Sequence, residues 1–231
     1  MRTSNELPPS PADQDHAGGP GGAINFDLLF DQSDALAAEV IQVIEYPLYD
    51  DRDRFRVSNL LCSLSMEHAH SARALLAAGL MSSALVIHRA QFEAVMRSIW
   101  SMYAASDGEV GKLANSLTLD TEQAAKNLPS ASVMMAELAE KAPAPPVEAL
   151  REFMKFNWKA LNSYVHAGIH PVRRHMEGYP AALILEALLN VNGMLMLAAM
   201  QASILTGVPG LQRQVLEVGK RYPGVLRVKP D

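Results

Sequence analysis

The segment MSSALVIHRAQFEAVMRSIWSMYA, residues 81–104, decides how this chain is read. At 100° per residue, Leu85, Phe92, Met96, Ile99 and Tyr103 fall on one stripe, the pattern of a helix that lays one apolar face on a core. Arg89 falls inside the same arc, Glu93 stands four residues on, and Arg97 four beyond that. An unpaired charge in a core costs on the order of several kcal/mol. Arg89 therefore needs a partner, and Glu93 at i+4 can supply one. Two readings stay open: an internal ion pair that fixes helix packing, or an arginine that lines a cleft. His88 reads as a hydrogen-bonded flank residue.

On both sides of this segment the chain continues as helix after helix. A first helix runs from about Asn25, a fitting N-cap, to Tyr46 before Pro47, and a second from Asp53 to Ala78 before Gly79. Two short helices are expected near 109–115 and 120–127, and another from Ser130 to Lys141. APAPP (142–146) reads as a stiff connector, because proline fixes φ and removes donors. The next helix starts near Pro146 or Val147 and runs to about Ala167, where Gly168 and Pro171 close it. A hydrophobic helix over 181–205 ends at Gly207, and a short one near 210–220 leads into a loose basic tail over 221–231. No long alternating run and no Asn-Gly or Asp-Gly hairpin signals a strand. Residues 1–23, with Pro8, Pro9, Pro11, Pro20 and four glycines, are expected to be a disordered tail. The expectation is an all-α fold over 24–220: an antiparallel bundle of four to five long helices with short ones appended.

Composition narrows the function without naming it. The chain has 231 residues, 49% of them hydrophobic, and a net charge of −5, so no global charge favours nucleic acid or a membrane surface. The charge is uneven: residues 147–231 carry ten Lys/Arg against six Asp/Glu, so the last third could meet a polyanion locally or pair with the acidic remainder. A single cysteine excludes a disulfide scaffold, and Cys62, among Leu60, Leu61 and Leu64, reads as a core residue. AALILEALLNVNGMLMLAAMQASIL (181–205) has the length of a membrane span, but Glu186, Asn190, Asn192 and Gln201 suit a buried bundle helix better. No signal peptide is evident, and the cytoplasm is the expected location.

The second chemically rich stretch is KFNWKALNSYVHAGIHPVRRH, residues 155–175. Val147, Leu150, Met154, Trp158, Leu161 and Val165 form an apolar stripe; Asn162 and His166 lie on the opposite side with Lys155 and Lys159. An imidazole at 166 could serve as an acid or base near neutral pH. His170, Arg173, Arg174 and His175 follow, a composition compatible with phosphate.

Two of these segments resemble the HEPN-like helical superfamily, especially its bacterial branches of unknown function. Residues 72–104 are similar to its helix with arginine and glutamate four apart, matched by Arg89 and Glu93. ALNSYVHAGIHP (160–171) is similar to its late helix ending in a Ser/Asn stretch and a histidine, matched by Asn162, Ser163 and His166. Active members are metal-independent ribonucleases whose motif is arginine, a polar residue, three residues, then histidine. The resemblance implies His166 as acid/base, Asn162 as the polarising residue, and Arg89, Arg173 or Arg174 as phosphate holders. Leu161 stands where the motif arginine belongs. The implied protein is a homodimeric, RNA-linked, phage-defence or toxin–antitoxin accessory without the full nuclease motif and without cofactor or metal.

Two rivals remain. His166 and His170, four apart, with His68 or His70 could form a metal site, although Gly168 and Pro171 break the helix between them. A non-enzymatic module that binds a partner protein through helix faces needs no catalytic residue. The methionines at 134–135 and 194–200 would give it an adaptable surface, or simply fill the core.

Overall fold

Small side chains set the centre of the fold. In the computed structural model, which describes residues 24–227, α2 (Asp53–Ala77) turns at Gly79 (φ 75°) into α3 (Met81–Tyr103). Ser58, Cys62, Ser65, Ala69, Ala72 and Leu76 recur on α2 at alternating spacings of four and three, and all are buried. That repeat is a helix–helix seam, and its small members let the backbones approach closely. The Ser58 hydroxyl donates to Ser98 O (3.0 Å), Ser98 Oγ donates back to Ser58 O (2.8 Å), and Ser65 Oγ donates to Gln91 O (3.2 Å). Position 58 thus faces 98 while 65 faces 91, which is an antiparallel register. Cys62 lies in this seam beside Ser98, and burial pushes its thiol up to about 12.

The third central helix is α9 (Ala181–Thr206), packed on α2, α3 and α1 (Phe26–Ile44). It is long and apolar enough to cross a membrane, but Glu186, Asn190, Asn192 and Gln201 each have a partner on another element. Gln201 donates to Ser58 Oγ, Asn192 to Ser33 Oγ and Val225 O, and Asn190 to Asn157 Oδ1, while Glu186 pairs with Arg227. Paired polar groups are what a core helix needs to be stable. On one side α10 (Leu211–Lys220) closes over α1 and α9. On the other, α6 (Ala131–Lys141) and α7 (Ala144–Val165) pack on α3, with Trp100 Nε1 donating to Glu137 Oε2 (2.6 Å). The short α4 (Asp107–Ala114) and α5 (Leu119–Ala125) follow α3; both begin with a capping box. Arg54 of α2 donates to Ser101 O and Ala105 O and pairs with Asp107, so one guanidinium ties the end of α3 to the start of α4.

The all-α bundle is as expected: five long helices, short ones appended, and no strand among the described residues. Three local expectations are corrected. APAPP does not stand outside the helix, because α7 begins at Ala144 with Pro145 and Pro146 in its first turn, where no intrahelical donor is required. Pro171 does not end a helix but sits in the first turn of a further one, α8 (Ile169–Glu177), for the same reason. The C-terminal segment is not loose through residue 227: Val225 is fully buried, and Tyr222 donates to Glu39 (2.6 Å). The expected tail over 1–23 lies outside the described residues.

Candidate functional site

Arg89 of α3 and Asn162 of α7 meet where the two helices cross. Arg89 Nε donates to Asn162 Oδ1 (3.1 Å), and Arg89 Nη1 lies 2.5 Å from Glu93 Oε1. The guanidinium carbon lies 3.5 Å from the centroid of the Trp158 ring. Trp158 in turn meets the edge of Phe92, which stacks on Phe153 with ring centroids 4.5 Å apart. The Arg89 side chain is 11% exposed. An ion pair, a charged hydrogen bond and a cation–π contact together offset the desolvation of this arginine. The ion pair with Glu93 is formed, and Asn162 and Trp158 meet the same guanidinium.

Asn162, placed from the sequence on the polar side of α7, finds its partner on a neighbouring helix. Its amide oxygen is turned to α3 and is committed to Arg89. Leu161, beside it, is buried in the main core cluster, so the position that resembles the motif arginine holds a packing residue. His166 is the exposed C-cap of α7, with its N–H bonded to Asn162 O (3.1 Å). Among the described residues, no hydrogen bond or ion pair joins its imidazole to Arg89. Arg173 is exposed on α8 and pairs with Glu177; Arg174 is half-buried on the same helix. Of the residues singled out from the sequence, Arg89, Glu93 and Asn162 come together, whereas His166, Arg173 and Arg174 stand apart from them on the α7–α8 surface.

The break between α7 and α8 explains why the histidines do not share a helix face. Ala167 takes a left-handed conformation (φ 50°), and Gly168 N–H donates to Ser163 O (2.7 Å), a Schellman termination. A Cβ at Gly168 would stand 2.6 Å from Ser163 Oγ, so a side chain there would displace that hydroxyl. Ser163 Oγ in turn accepts from His170 N–H (3.1 Å) and so serves the unpaired amides of α8 from the preceding helix. His170 stacks on Tyr164 instead of facing His166. No group of three His, Cys, Asp or Glu side chains suited to a metal ion occurs among the described residues.

Reading the sequence understated His88. It is not a flank residue but a buried one, edge-on to Phe153 (5.2 Å). Its Nδ1 lies 2.8 Å from Gln91 Oε1, and Gln91 Nε2 donates to Val191 O (2.9 Å). The carbonyl of Val191 fixes the orientation of the amide, which makes Gln91 Oε1 the acceptor and His88 Nδ1 the donor. His88 Nε2 is left as a bare acceptor, buried and without a partner. Burial pushes this imidazole down to about 4, against the bond to Gln91. His88 forms part of the wall of a groove of about 1170 Å³ between α7, α9 and the α10 segment. The i, i+3 pair His88–Gln91 inside an apolar arc is the signal that could have revealed it.

No curated protein and no solved structure matches the chain. A family profile covers residues 62–228, more than two-thirds of the chain, from the α2 seam through the Arg89–Asn162 crossing to the C-terminal segment. The chain thus belongs to DUF6988, a family of unknown function.

Proposed function

We propose that the chain is a non-catalytic, HEPN-like accessory that contacts RNA through the α7–α8 surface. The observation that carries this reading is a run of charge. Residues 153–176 contain Lys155, Lys159, Arg173, Arg174 and three histidines and not one carboxylate. Lys155, Lys159 and His166 are exposed on α7, and Arg173 and His175 on α8. Such a surface neutralises phosphates without reading sequence. Two features argue against cleavage: Arg89 is committed to Glu93, Asn162 and Trp158, and Leu161 occupies the core where the nuclease motif has arginine. A homodimer and a cytoplasmic location belong to the same reading, by resemblance.

Fluorescence anisotropy with a labelled single-stranded RNA tests it. Binding weakens steeply between 50 and 200 mM salt, at roughly 0.7 log unit of affinity per log unit of salt for each phosphate contacted. Lys155→Glu with Lys159→Glu abolishes it, and the RNA stays intact with wild type and His166→Ala alike. Affinity indifferent to salt and to the double variant would refute the reading.

A second reading has its own observation. Ile169, Val172 and Met176 form one row along α8 and are 72%, 53% and 73% exposed. An apolar row on a basic helix is also what a protein-interaction module would present. Replacing Val172 and Met176 by serine leaves RNA binding intact and removes partner capture if this reading is the correct one.

A further inference from the structure

We infer that the groove between α7 and α9 is a binding site for an elongated, uncharged, mostly apolar molecule that donates one hydrogen bond to His88. Three independent features point there. First, α7 stands off α9 along much of its length, bridged by Asn190 Nδ2 donating to Asn157 Oδ1 (3.3 Å). The space between them, about 1170 Å³, is walled mainly by apolar side chains such as Leu85, Phe153, Leu161, Met194 and Leu197, and the two cations that line it are paired, Arg227 with Glu186 and Lys220 with Glu217. Ligand sites are concave and apolar with a few placed polar groups, and this one has the size of a long-chain ligand.

Second, Gly193 lines this groove in the middle of α9, and a Cβ built on it meets nothing within 4 Å. A glycine in a helix interior costs about 1 kcal/mol relative to alanine. Nothing in the chain's own packing requires it there, so its consequence is depth in the groove.

Third, His88, a ring 2% exposed, lines this wall, and its buried Nε2 has no partner within the chain. The Gln91–Val191 relay fixes it as a lone-pair acceptor. A buried acceptor without a donor is costly and calls for one from outside the chain. A hydroxyl or amide N–H satisfies it. A carboxylate brings another acceptor to a neutral imidazole and is disfavoured. The site therefore selects long-chain alcohols and primary amides over the corresponding fatty acid anions. This inference is independent of RNA binding, because none of the cations of the α7–α8 run, Lys155, Lys159, Arg173 and Arg174, lines the groove.

The test is isothermal titration calorimetry of the full chain at pH 7 with 1-decanol and with decanoate. We expect saturable uptake of one decanol per chain, about tenfold tighter than decanoate, equivalent to about 1.4 kcal/mol. Gly193→Leu fills the groove and abolishes uptake, with the helical circular dichroism unchanged. If that variant does not fold, Ala160→Phe on the opposite wall serves the same purpose. His88→Leu brings the two affinities to parity while keeping decanol uptake. The inference is overturned by the absence of saturable decanol binding, by decanoate binding as tightly as decanol to the wild type, or by uptake unaffected by both filling variants. A dimer that dissociates in Gly193→Leu and takes up no decanol would assign the groove to a second copy and overturn it equally.

Discussion

At the scale of single residues, buried polar groups decide what this chain tolerates. His88 is neutral in the folded protein down to about pH 4, whereas an unfolded histidine titrates near 6.5. Between these values the unfolded state binds the extra proton, so stability falls as pH falls through that window, and the effect is absent above it. The full loss amounts to roughly 3 kcal/mol by pH 4. Urea unfolding at pH 7, 6 and 5 should show a slope that His88→Leu removes; a parallel slope in the variant would place the titrating group elsewhere. Arg89 makes a second case. Lysine cannot face Glu93, Asn162 and Trp158 at once, because it lacks the planar fork. Arg89→Lys should cost about 2 kcal/mol in urea unfolding, the range of a charged hydrogen bond, and leave RNA affinity unchanged. A selective loss of RNA binding would show that the guanidinium reaches phosphate after all. The Arg89–Glu93 pair was legible from spacing alone, since i, i+4 geometry is a property of one helix. Its bond to Asn162 was not, because the polar side assigned to α7 left open which neighbour that side would face.

Helix by helix, the sequence was clear where periodicity was strong and misleading where proline and glycine were read as stops. The long helices follow from their apolar stripes and flanking breakers. The α2 seam was hidden because Ser58, Cys62, Ser65, Ala69 and Ala72 carry little hydrophobicity, yet their spacing buries them as effectively as leucines. The α8 helix was missed because Pro171 is a breaker only after the first turn, and Ser163 supplies the amide acceptor that Gly168 cannot. This junction is under strain that can be measured. Ala167 holds a left-handed conformation that costs a non-glycine residue about 1–2 kcal/mol. Ala167→Gly relieves that cost but adds unfolded-state entropy, for a net gain of about 0.5–1 kcal/mol. Gly168→Ala acts in the opposite direction, because its Cβ collides with Ser163 Oγ and the α8 cap must give way. Differential scanning calorimetry should rank the chains in the order Ala167→Gly, wild type, Gly168→Ala. Equal midpoints would mean that the turn carries no strain.

Across the whole molecule, α9 is the organising helix, and its apolar length was the feature most open to two readings. What makes it an internal helix here is the set of partners its polar groups find: Ser58 from α2, Ser33 from α1, Asn157 from α7, and Arg227 and Val225 from the C-terminal segment. These contacts join residues up to 159 positions apart in sequence, and no local pattern announces them. The C-terminal segment shows the consequence. Val225 is fully buried against the α1–α9–α10 cluster, and its carbonyl accepts from the buried Asn192. Ending the chain after Lys220 removes a buried aliphatic side chain, worth about 1.5–3 kcal/mol. It also costs Asn192 one acceptor, about 1 kcal/mol if water replaces it. The expected loss is about 3 kcal/mol, or roughly 6–12 °C in melting temperature for a chain of this size. Val225→Asp, which keeps the chain length but buries a carboxylate, should lose at least as much. If the truncated chain melts with the wild type, residues 221–227 contribute no packing energy and α9 is held by the other helices alone.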